Sequence, residues 1–341
     1  MTEVPLPVGK LPFELLGSLL ATLGPADDSV LVGPGLGRDA AVIDIDGTLL
    51  VVKNDPITFV SQEAGTYLVN VNANDLSCLG ATPRWMLVTA LLPEQDTTAE
   101  TVTNLFGQLR DTCAALGISL VGGHTEITAG VPRPLLVGTL IGTAARGTLL
   151  QPGGANRGDR LLLARPAGIE GTALLALERG DELSAALGSE LVQRAQKLLH
   201  DPGISVVSLA KALLETGGVS ALHDPTEGGV ATAVREIAAA SGLGAVMNRE
   251  LVPLLPETRA IAAHYGIDPL GMLSSGTLLA TAPAAQVDHV LDHARQAGIE
   301  IAVIGKVTSP ASGFQLIEDN RSRELPSFQT DEVTRALGAA Q

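Results

Sequence analysis

A run of turn formers and polar residues at positions 151–159 divides the sequence into two parts of similar length. Its letters, QPGGANRGD, interrupt both helices and strands. On either side of it, short apolar segments typical of strands alternate with segments whose apolar residues recur at helical spacing. With 341 residues, of which 45% are hydrophobic, the chain is long enough for two cores. We therefore predict two α/β domains, residues 1–150 and 151–320, and a C-terminal tail, residues 321–341.

The first part begins with a predicted hairpin at residues 40–53, because apolar segments flank Asp46-Gly47, a strong two-residue turn signal. Thr97 and Glu100 have the spacing of a capping box before an amphipathic helix. Further elements of this part are predicted at residues 63–79 (helix), 86–92 (strand), 118–121 (strand) and 135–143 (strand). In the second part, strands are predicted at 160–164, 219–222, 277–281 and 299–307, helices up to about 215 and at 228–240, and one short helix within 324–341.

Charge and composition limit the partners. The formal net charge is −15, and such a surface repels the phosphate backbone of nucleic acids. Bound phosphates would also need a cation, so we expect any nucleotide site here to recruit a metal ion. Cys78 and Cys113 are the only cysteines and have no metal-ligand spacing, which favours a reducing cytoplasm. No signal peptide and no apolar segment long enough to span a membrane is visible.

Three carboxylates are the predicted metal ligands. Asp39 precedes one apolar strand, Asp55 follows the next, and Asp75 lies among apolar residues on a predicted helix, with Asn72 on nearly the same face. A carboxylate on an apolar face costs free energy unless a cation or donors meet it, so loss of the Asp75 charge should not weaken the fold. Taken singly, each acid could also be a helix cap or a solvated side chain. Together they favour a hard-cation site.

Glycine turns supply the other candidate contacts. Gly35 and Gly37 lie in VGPGLGRD, where adjacent N–H groups could bind an anion, although a plain loop before the hairpin is the alternative. Gly122 and Gly123 lie in a predicted turn that ends with His124-Thr125-Glu126. There the histidine and glutamate could act as a metal ligand, a phosphate contact or a general acid or base; the alternative is a plain turn with an exposed histidine.

A third motif, HDPTEGG, contains Asp224 and Gly228 and precedes a predicted helix. Backbone N–H groups at the start of a helix attract anions. Alternatively, Asp224 or Thr226 caps that helix.

These segments together resemble the family of aminoimidazole ribonucleotide (AIR) synthase, the hydrogenase-maturation protein HypE, thiamine-monophosphate kinase and selenophosphate synthetase. The matching strings occur in the family's order over roughly residues 9–310: GRDAAVI, KNDPIT, NVNANDLSCLGATPRWM, LVGGHTEIT, HDPTEGGVATAVREIA and SSGTLLA. The closest likeness is to AIR-synthase-related, HypE-like proteins.

The resemblance implies an α+β type of α/β protein. Its N-terminal mixed sheet with helices would form a barrel in a homodimer, and its C-terminal domain would be an α/β sandwich. ATP would bind near the dimer interface, with Mg²⁺ held by Asp39, Asp55 and Asp75. Asn72 and the five glycines Gly35, Gly37, Gly122, Gly123 and Gly228 would contact the nucleotide. His124, Glu126 and Asp224 would act on the acceptor.

The sequence departs from the family's pattern in several places. Arg38 stands where relatives usually carry an acid, Asn54 where threonine is common, and His124 where several members have an acid. HypE ends in a cysteine that carries the group being dehydrated, and no cysteine follows Cys113 here. The chemistry shared by the family makes ATP-dependent, Mg²⁺-assisted phosphoryl transfer to an oxygen of an unidentified small acceptor the leading hypothesis. The alternatives are a kinase of a small phosphate ester, and a nucleotide-binding maturation or partner protein without catalysis.

Overall fold

The structure is a computed structural model of the chain, and it describes residues 6, 11–24, 26–35, 40–58, 62–150, 153–328 and 330–338. Gly37 and Asp39, two of the predicted site residues, lie outside these ranges. The helices of the described residues are α1 (Phe13–Leu20), α2 (Ala64–Cys78), α3 (Ala99–Ala115), α4 (Ile169–Glu178), α5 (Gly180–Leu187), α6 (Ser189–Lys197), α7 (Val207–Glu215), α8 (Gly229–Ala240), α9 (Pro256–Tyr265), α10 (Val287–Gln296) and α11 (Glu332–Gly338).

The first domain contains a six-stranded sheet in the order β1-β2-β3-β6-β4-β5. Its neighbouring strands are antiparallel except for the parallel pair β4–β5. Helices α2 and α3 cover one face, which we call the inner face, and bury a mainly aliphatic core there. The strands are β1 (Val30–Val32), β2 (Ala41–Ile45), β3 (Thr48–Ile57), β4 (Thr82–Pro93), β5 (Ser119–Thr128) and β6 (Leu135–Ala144).

The second domain contains a seven-stranded sheet in the order β13-β12-β9-β11-β7-β10-β8. Helix α8 packs on one face, and α7 and α10 pack on the other. This two-sided cover explains why Leu161, Leu162, Leu163 and Ala164 are all fully buried. The strands are β7 (Arg160–Ala164), β8 (Ala221–His223), β9 (Gly244–Asn248), β10 (Leu278–Ala282), β11 (Ile301–Thr308), β12 (Phe314–Glu318) and β13 (Arg321–Glu324).

The two-domain α/β class is confirmed, with the second domain as a helix-covered sheet. The sheet of the first domain is open within one chain, so the dimeric barrel stays a prediction. Among the described residues, no helix combines the length and apolar character needed to cross a bilayer.

Three local predictions were wrong. Strand β3 continues to Ile57, so Asp55 lies inside this strand and does not follow it. The cap of α3 is Thr98 rather than Thr97: the Thr101 N–H donates to Thr98 Oγ1 at 3.2 Å, and the Thr98 N–H donates to Thr101 Oγ1 at 2.8 Å. Threonine therefore takes the return position expected for Glu100. The predicted turn at Gly122 and Gly123 is also wrong, because both glycines lie inside β5.

Candidate functional site at the domain junction

Helix α2 organises the site because it contacts both domains. It packs against β3 and β6 of the first sheet and against α7 and β8 of the second domain. All of its residues except Asp75 are buried. A helix that is buried all round needs internal partners for its polar side chains. The partners of these polar side chains therefore identify the groups that α2 holds in place.

A lysine–carboxylate cluster lies between β3 and α2. Lys53 Nζ is 2.8 Å from Asp75 Oδ2 and 3.6 Å from Asp55 Oδ2. The side chains of Lys53 and Asp75 are 9% and 10% exposed, whereas that of Asp55 is 38% exposed. Lys53 and Asp55 share the inner face because side chains alternate along a strand. The structure thus brings two of the predicted metal ligands together, but around an ammonium group.

This arrangement does not fit a preformed Mg²⁺ site. Carboxylate oxygens are the right donors, but Mg²⁺ binds them at about 2.0–2.1 Å in an octahedral set. A cation already lies beside the Asp75 carboxylate. In the described part of the chain, no three His, Cys, Asp or Glu side chains converge as metal ligands.

Sequence reasoning missed Lys53. The available signal was its place in β3, two residues after the buried Val51 and two before Asp55, which puts all three on one face.

Asn72, a predicted nucleotide contact, is fully buried on α2. Its Nδ2 donates to the Leu68 carbonyl at 2.9 Å, and its Oδ1 has no hydrogen-bond partner in the described structure. An ideal Cβ on Gly138 would lie 3.0 Å from Asn72 Nδ2, and Gly138 is the cross-strand partner of Asp55. Asn72 therefore lies over the inner face, one strand from Asp55.

Asp224 lies at the junction of the domains. It is buried, and the Cys78 thiol of α2 lies 3.9 Å from its Oδ1. The alternative that Asp224 or Thr226 caps α8 is wrong, because the N-cap is Gly228 and no side chain bonds there. Asp224 instead faces the helix that carries Asp75.

Gly228 lies in the left-handed region with φ 77°, and its N–H donates to Asp331 Oδ2 at 2.8 Å. Burial raises the pKa of Asp331 to about 6, even though the N–H groups of Val333, Gly228 and Leu273 lower it. The Gly228 N–H already donates to Asp331. A nucleotide could therefore contact this glycine only by packing closely against its backbone.

His124 and Glu126 lie elsewhere. Both are on β5, an edge strand whose one partner among the described residues is β4. His124 Nε2 is 3.0 Å from Glu126 Oε2, and the Thr128 hydroxyl donates to Glu126 Oε1 at 2.7 Å. These hydrogen bonds, from Thr128 first and then from His124, lower the pKa of Glu126.

The pairing registers place His124 on the opposite face of the sheet from the lysine–carboxylate cluster. His124 pairs with Thr89, which pairs with Val137, which pairs with Pro56. Directly paired residues point to the same side, and Pro56 points away from the side that Asp55 faces. Three strand spacings also separate β5 from β3, or roughly 14 Å. Within one chain, His124 and Glu126 therefore do not meet Asp55 and Asp75.

Gly123 has a structural reason to be glycine, since an ideal Cβ there would lie 1.8 Å from the Val88 carbonyl oxygen. Gly122 pairs with Leu87 in the same sheet. Gly35, half-buried in a loop, precedes the undescribed residues 36–39, so its place relative to the site stays a prediction.

Two open α/β domains, joined by a buried helix that gathers charged side chains, define the class of this protein. Residues 37–144 match the family described as AIR synthase related protein, N-terminal domain, and residues 156–316 match its C-terminal domain. The chain belongs to the AIR synthase-related family.

Individual relatives agree with this assignment. Carbamoyl dehydratase HypE from Cupriavidus necator is 29% identical over 294 residues, covering 82% of this chain and 79% of that protein. The structure of HypE in complex with ATP superposes with a TM-score of 0.68 at 24% identity, covering 88% of this chain and 92% of that one. AaThiL complexed with AMPPCP and TMP gives a TM-score of 0.69 at 18% identity, covering 90% and 92%. The last two likenesses establish the shared fold.

Proposed function

We propose that the chain is an ATP-dependent enzyme that transfers a phosphoryl group from ATP to an oxygen of a small acceptor. The observation that carries this proposal is the cluster of Lys53, Asp55 and Asp75 beneath α2. A fixed ammonium binds phosphate oxygens as a point charge and stabilises the charge of a transferring phosphoryl group. Support comes from relatives of the same fold whose structures hold ATP or AMPPCP.

The acceptor is proposed to bind toward Asp224. This carboxylate is buried beside Cys78, one turn of α2 beyond Asp75. An acceptor placed there would lie between the two domains, next to the phosphates. The prediction that Asp39, Asp55 and Asp75 bind Mg²⁺ stays a prediction, since Asp39 lies outside the described residues and Lys53 contacts the other two.

The proposal includes a homodimer formed through β5. This ten-residue edge strand is exposed along nearly its whole length, with Val121 55% and Ile127 61% exposed. It borders a groove of 410 Å³ lined by Val88, Phe106 and Leu109 among others. A long apolar edge strand is a template for pairing with another chain. A second copy would also be needed to bring a His124–Glu126 pair near a lysine–carboxylate cluster.

Two other functions have specific support. The relative from Cupriavidus necator is a carbamoyl dehydratase HypE, and a HypE–HypF complex shares this fold, which favours a maturation or nucleotide-binding partner protein. Thiamine monophosphate kinase from Aquifex aeolicus also shares the fold, which favours a kinase of a small phosphate ester. A cytoplasmic location stays a prediction; Cys78 and Cys113 are both buried, and neither forms a disulfide.

Nucleotide binding and turnover by the purified protein test the proposal. Thermal unfolding is measured with ATP and Mg²⁺, and ADP formation is followed with and without candidate acceptors. A ligand that binds only the folded state raises the melting temperature. Stabilisation with acceptor-dependent ADP formation supports the enzyme, whereas stabilisation without any turnover supports the partner protein. No effect of nucleotide under any condition would exclude both.

A further inference from the structure

We propose that Lys53 takes the place of one divalent cation in the phosphate site of this chain. In this role its ammonium offsets one of the two negative charges of the Asp55–Asp75 pair in the free protein and contacts a phosphate oxygen when a nucleotide binds. The phosphate contact rests on the proposed function. The exclusion of metal from the Asp55–Asp75 pair does not rest on the proposed function, because it concerns the protein without nucleotide.

The position of Lys53 is built into the fold. Lys53 lies on β3 opposite Leu140 of β6. Helix α2 covers the inner face of the sheet at this strand. Lysine is almost never buried without a partner, because removing an ammonium group from water is costly. The Asp75 carboxylate at 2.8 Å provides that partner from the helix above. The ammonium is therefore held in place rather than sampling solvent.

The contacts of Lys53 with the two carboxylates differ in length. The Lys53–Asp75 distance of 2.8 Å is that of a charge-assisted hydrogen bond, whereas the Lys53–Asp55 distance of 3.6 Å is too long for one. Asp55 is also the most exposed member of the cluster. An incoming phosphate oxygen can thus displace the looser partner, Asp55, while Asp75 continues to orient the ammonium.

Charge counting supports the substitution. Asp55 and Asp75 alone would carry −2, a charge that favours a divalent cation. The Lys53 ammonium contributes +1, so the three residues sum to −1. An ammonium beside the Asp75 oxygen also repels a second cation at that oxygen. The free protein should therefore bind divalent metal weakly at this place.

The test is a titration of the free protein with Mn²⁺, in which the signal of unbound Mn²⁺ is read by electron paramagnetic resonance. The wild type should show no saturable site in the submillimolar range. Lys53→Met keeps the length of the side chain but removes the charge. This variant should gain one Mn²⁺ site, with an affinity at least ~10-fold higher than that of any Mn²⁺ binding by the wild type. Lys53→Arg should behave like the wild type. Lys211→Met, a change of an exposed lysine in α7, is the matched control and should gain nothing.

A tight Mn²⁺ site in the wild type that Lys53→Met leaves unchanged would overturn the proposal. Asp75→Asn, added to Lys53→Met, should remove the gained site, and persistence of that site would place it elsewhere and also overturn the proposal. Should Lys53→Met fail to fold, the wild type decides: saturable Mn²⁺ binding that Asp75→Asn abolishes contradicts the proposal, and its absence supports it.

Calorimetric titration with ATP in excess EDTA tests the phosphate contact. The wild type should keep its ATP affinity to within ~10-fold of the value with Mg²⁺, and Lys53→Met should lose binding in EDTA. Wild-type binding that vanishes in EDTA would refute the contact. If ATP binds under neither condition, the proposed function fails, and the Mn²⁺ titration still decides whether Lys53 excludes metal.

Discussion

The side chain of Asn74 joins α2 to the backbone of Val206 in the second domain. Asn74 Oδ1 accepts the Val206 N–H at 2.8 Å, and its Nδ2 donates to the Ile204 carbonyl at 2.9 Å. The side chain is fully buried, so loss of the amide leaves two buried backbone groups without this partner. The pair therefore fixes the helix that carries Asp75 against the domain that carries Asp224.

We expect Asn74→Ala to destabilise the protein by about 2–4 kcal/mol, because two buried backbone groups lose their partner. Urea denaturation followed by circular dichroism measures the effect. Ser77→Ala is the matched control: Ser77 is a buried polar residue of the same helix, and its hydroxyl donates to the Ala73 carbonyl of that helix at 2.8 Å. Equal losses for the two variants would contradict an interdomain role for Asn74.

Asp75→Asn should now destabilise the fold, the reverse of what the sequence alone predicts. The sequence shows a carboxylate on an apolar helix without a visible counter-ion. The structure shows the Lys53 ammonium at 2.8 Å, and removing the Asp75 charge leaves that ammonium poorly compensated. We expect a loss of about 2–4 kcal/mol in the free energy of unfolding. Asp55→Asn, at the more exposed and longer contact, should cost less than about 1 kcal/mol. A neutral or stabilising Asp75→Asn would show that the ion pair contributes nothing to the fold.

The elements with regular periodicity could be predicted from the sequence, and those defined by long-range pairing could not. Strand β7 matches its prediction and α8 is within one residue of it, since one is a continuous apolar run and the other has a clear apolar stripe. The short strands β9, β12 and β13 were missed. Strand β12 pairs in parallel with β9, about seventy residues earlier in the chain, and no local pattern encodes such a partner.

The candidate site shows the same limit. Asp55 and Asp75 both lie close to the Lys53 ammonium, and their role as metal ligands stays a prediction. Lys53 was missed, since a lysine near a strand end is usually solvated and its burial here depends on how α2 packs. The strand that contains His124 was missed because two adjacent glycines suggested a turn. In the structure, Gly123 is explained by its close approach to the Val88 backbone and not by a turn.

Glu170 should make stability depend on pH. Burial raises the pKa of Glu170 to about 7, the Ser275 hydrogen bonds lower it, and the charges of Glu227 and Asp331 raise it further. Between the unfolded value of 4.5 and about 7, the folded protein keeps a proton that the unfolded chain has released. The Glu170 contribution is therefore fully present below pH 4.5 and is lost as pH rises to about 7, on the order of 3 kcal/mol.

Glu170→Gln removes this titration and keeps an acceptor for the Ser275 N–H. Its free energy of unfolding should fall less steeply than that of the wild type from pH 4.5 to 7, and at pH 8 the variant should be the more stable protein. Urea denaturation across this range measures both effects. Glu190→Gln, at an exposed position of α6, should leave the pH profile unchanged. Parallel profiles for Glu170→Gln and the wild type would rule out Glu170 as the source.

Val121→Lys should convert the proposed homodimer into a monomer. Val121 is exposed on the edge strand β5 and lines the groove beside it, so a lysine there adds charge to a surface that a second copy would cover. Charged side chains on edge strands oppose pairing with another chain. Light scattering during gel filtration at micromolar concentration should give twice the 35.0 kDa chain mass for the wild type and the single mass for the variant.

Leu251→Lys places the same charge at a residue of similar exposure in the second domain and should remain dimeric. A wild type that is monomeric, or a Val121→Lys dimer, would mean that β5 is not the interface, and His124 and Glu126 would then have no route to the phosphate site.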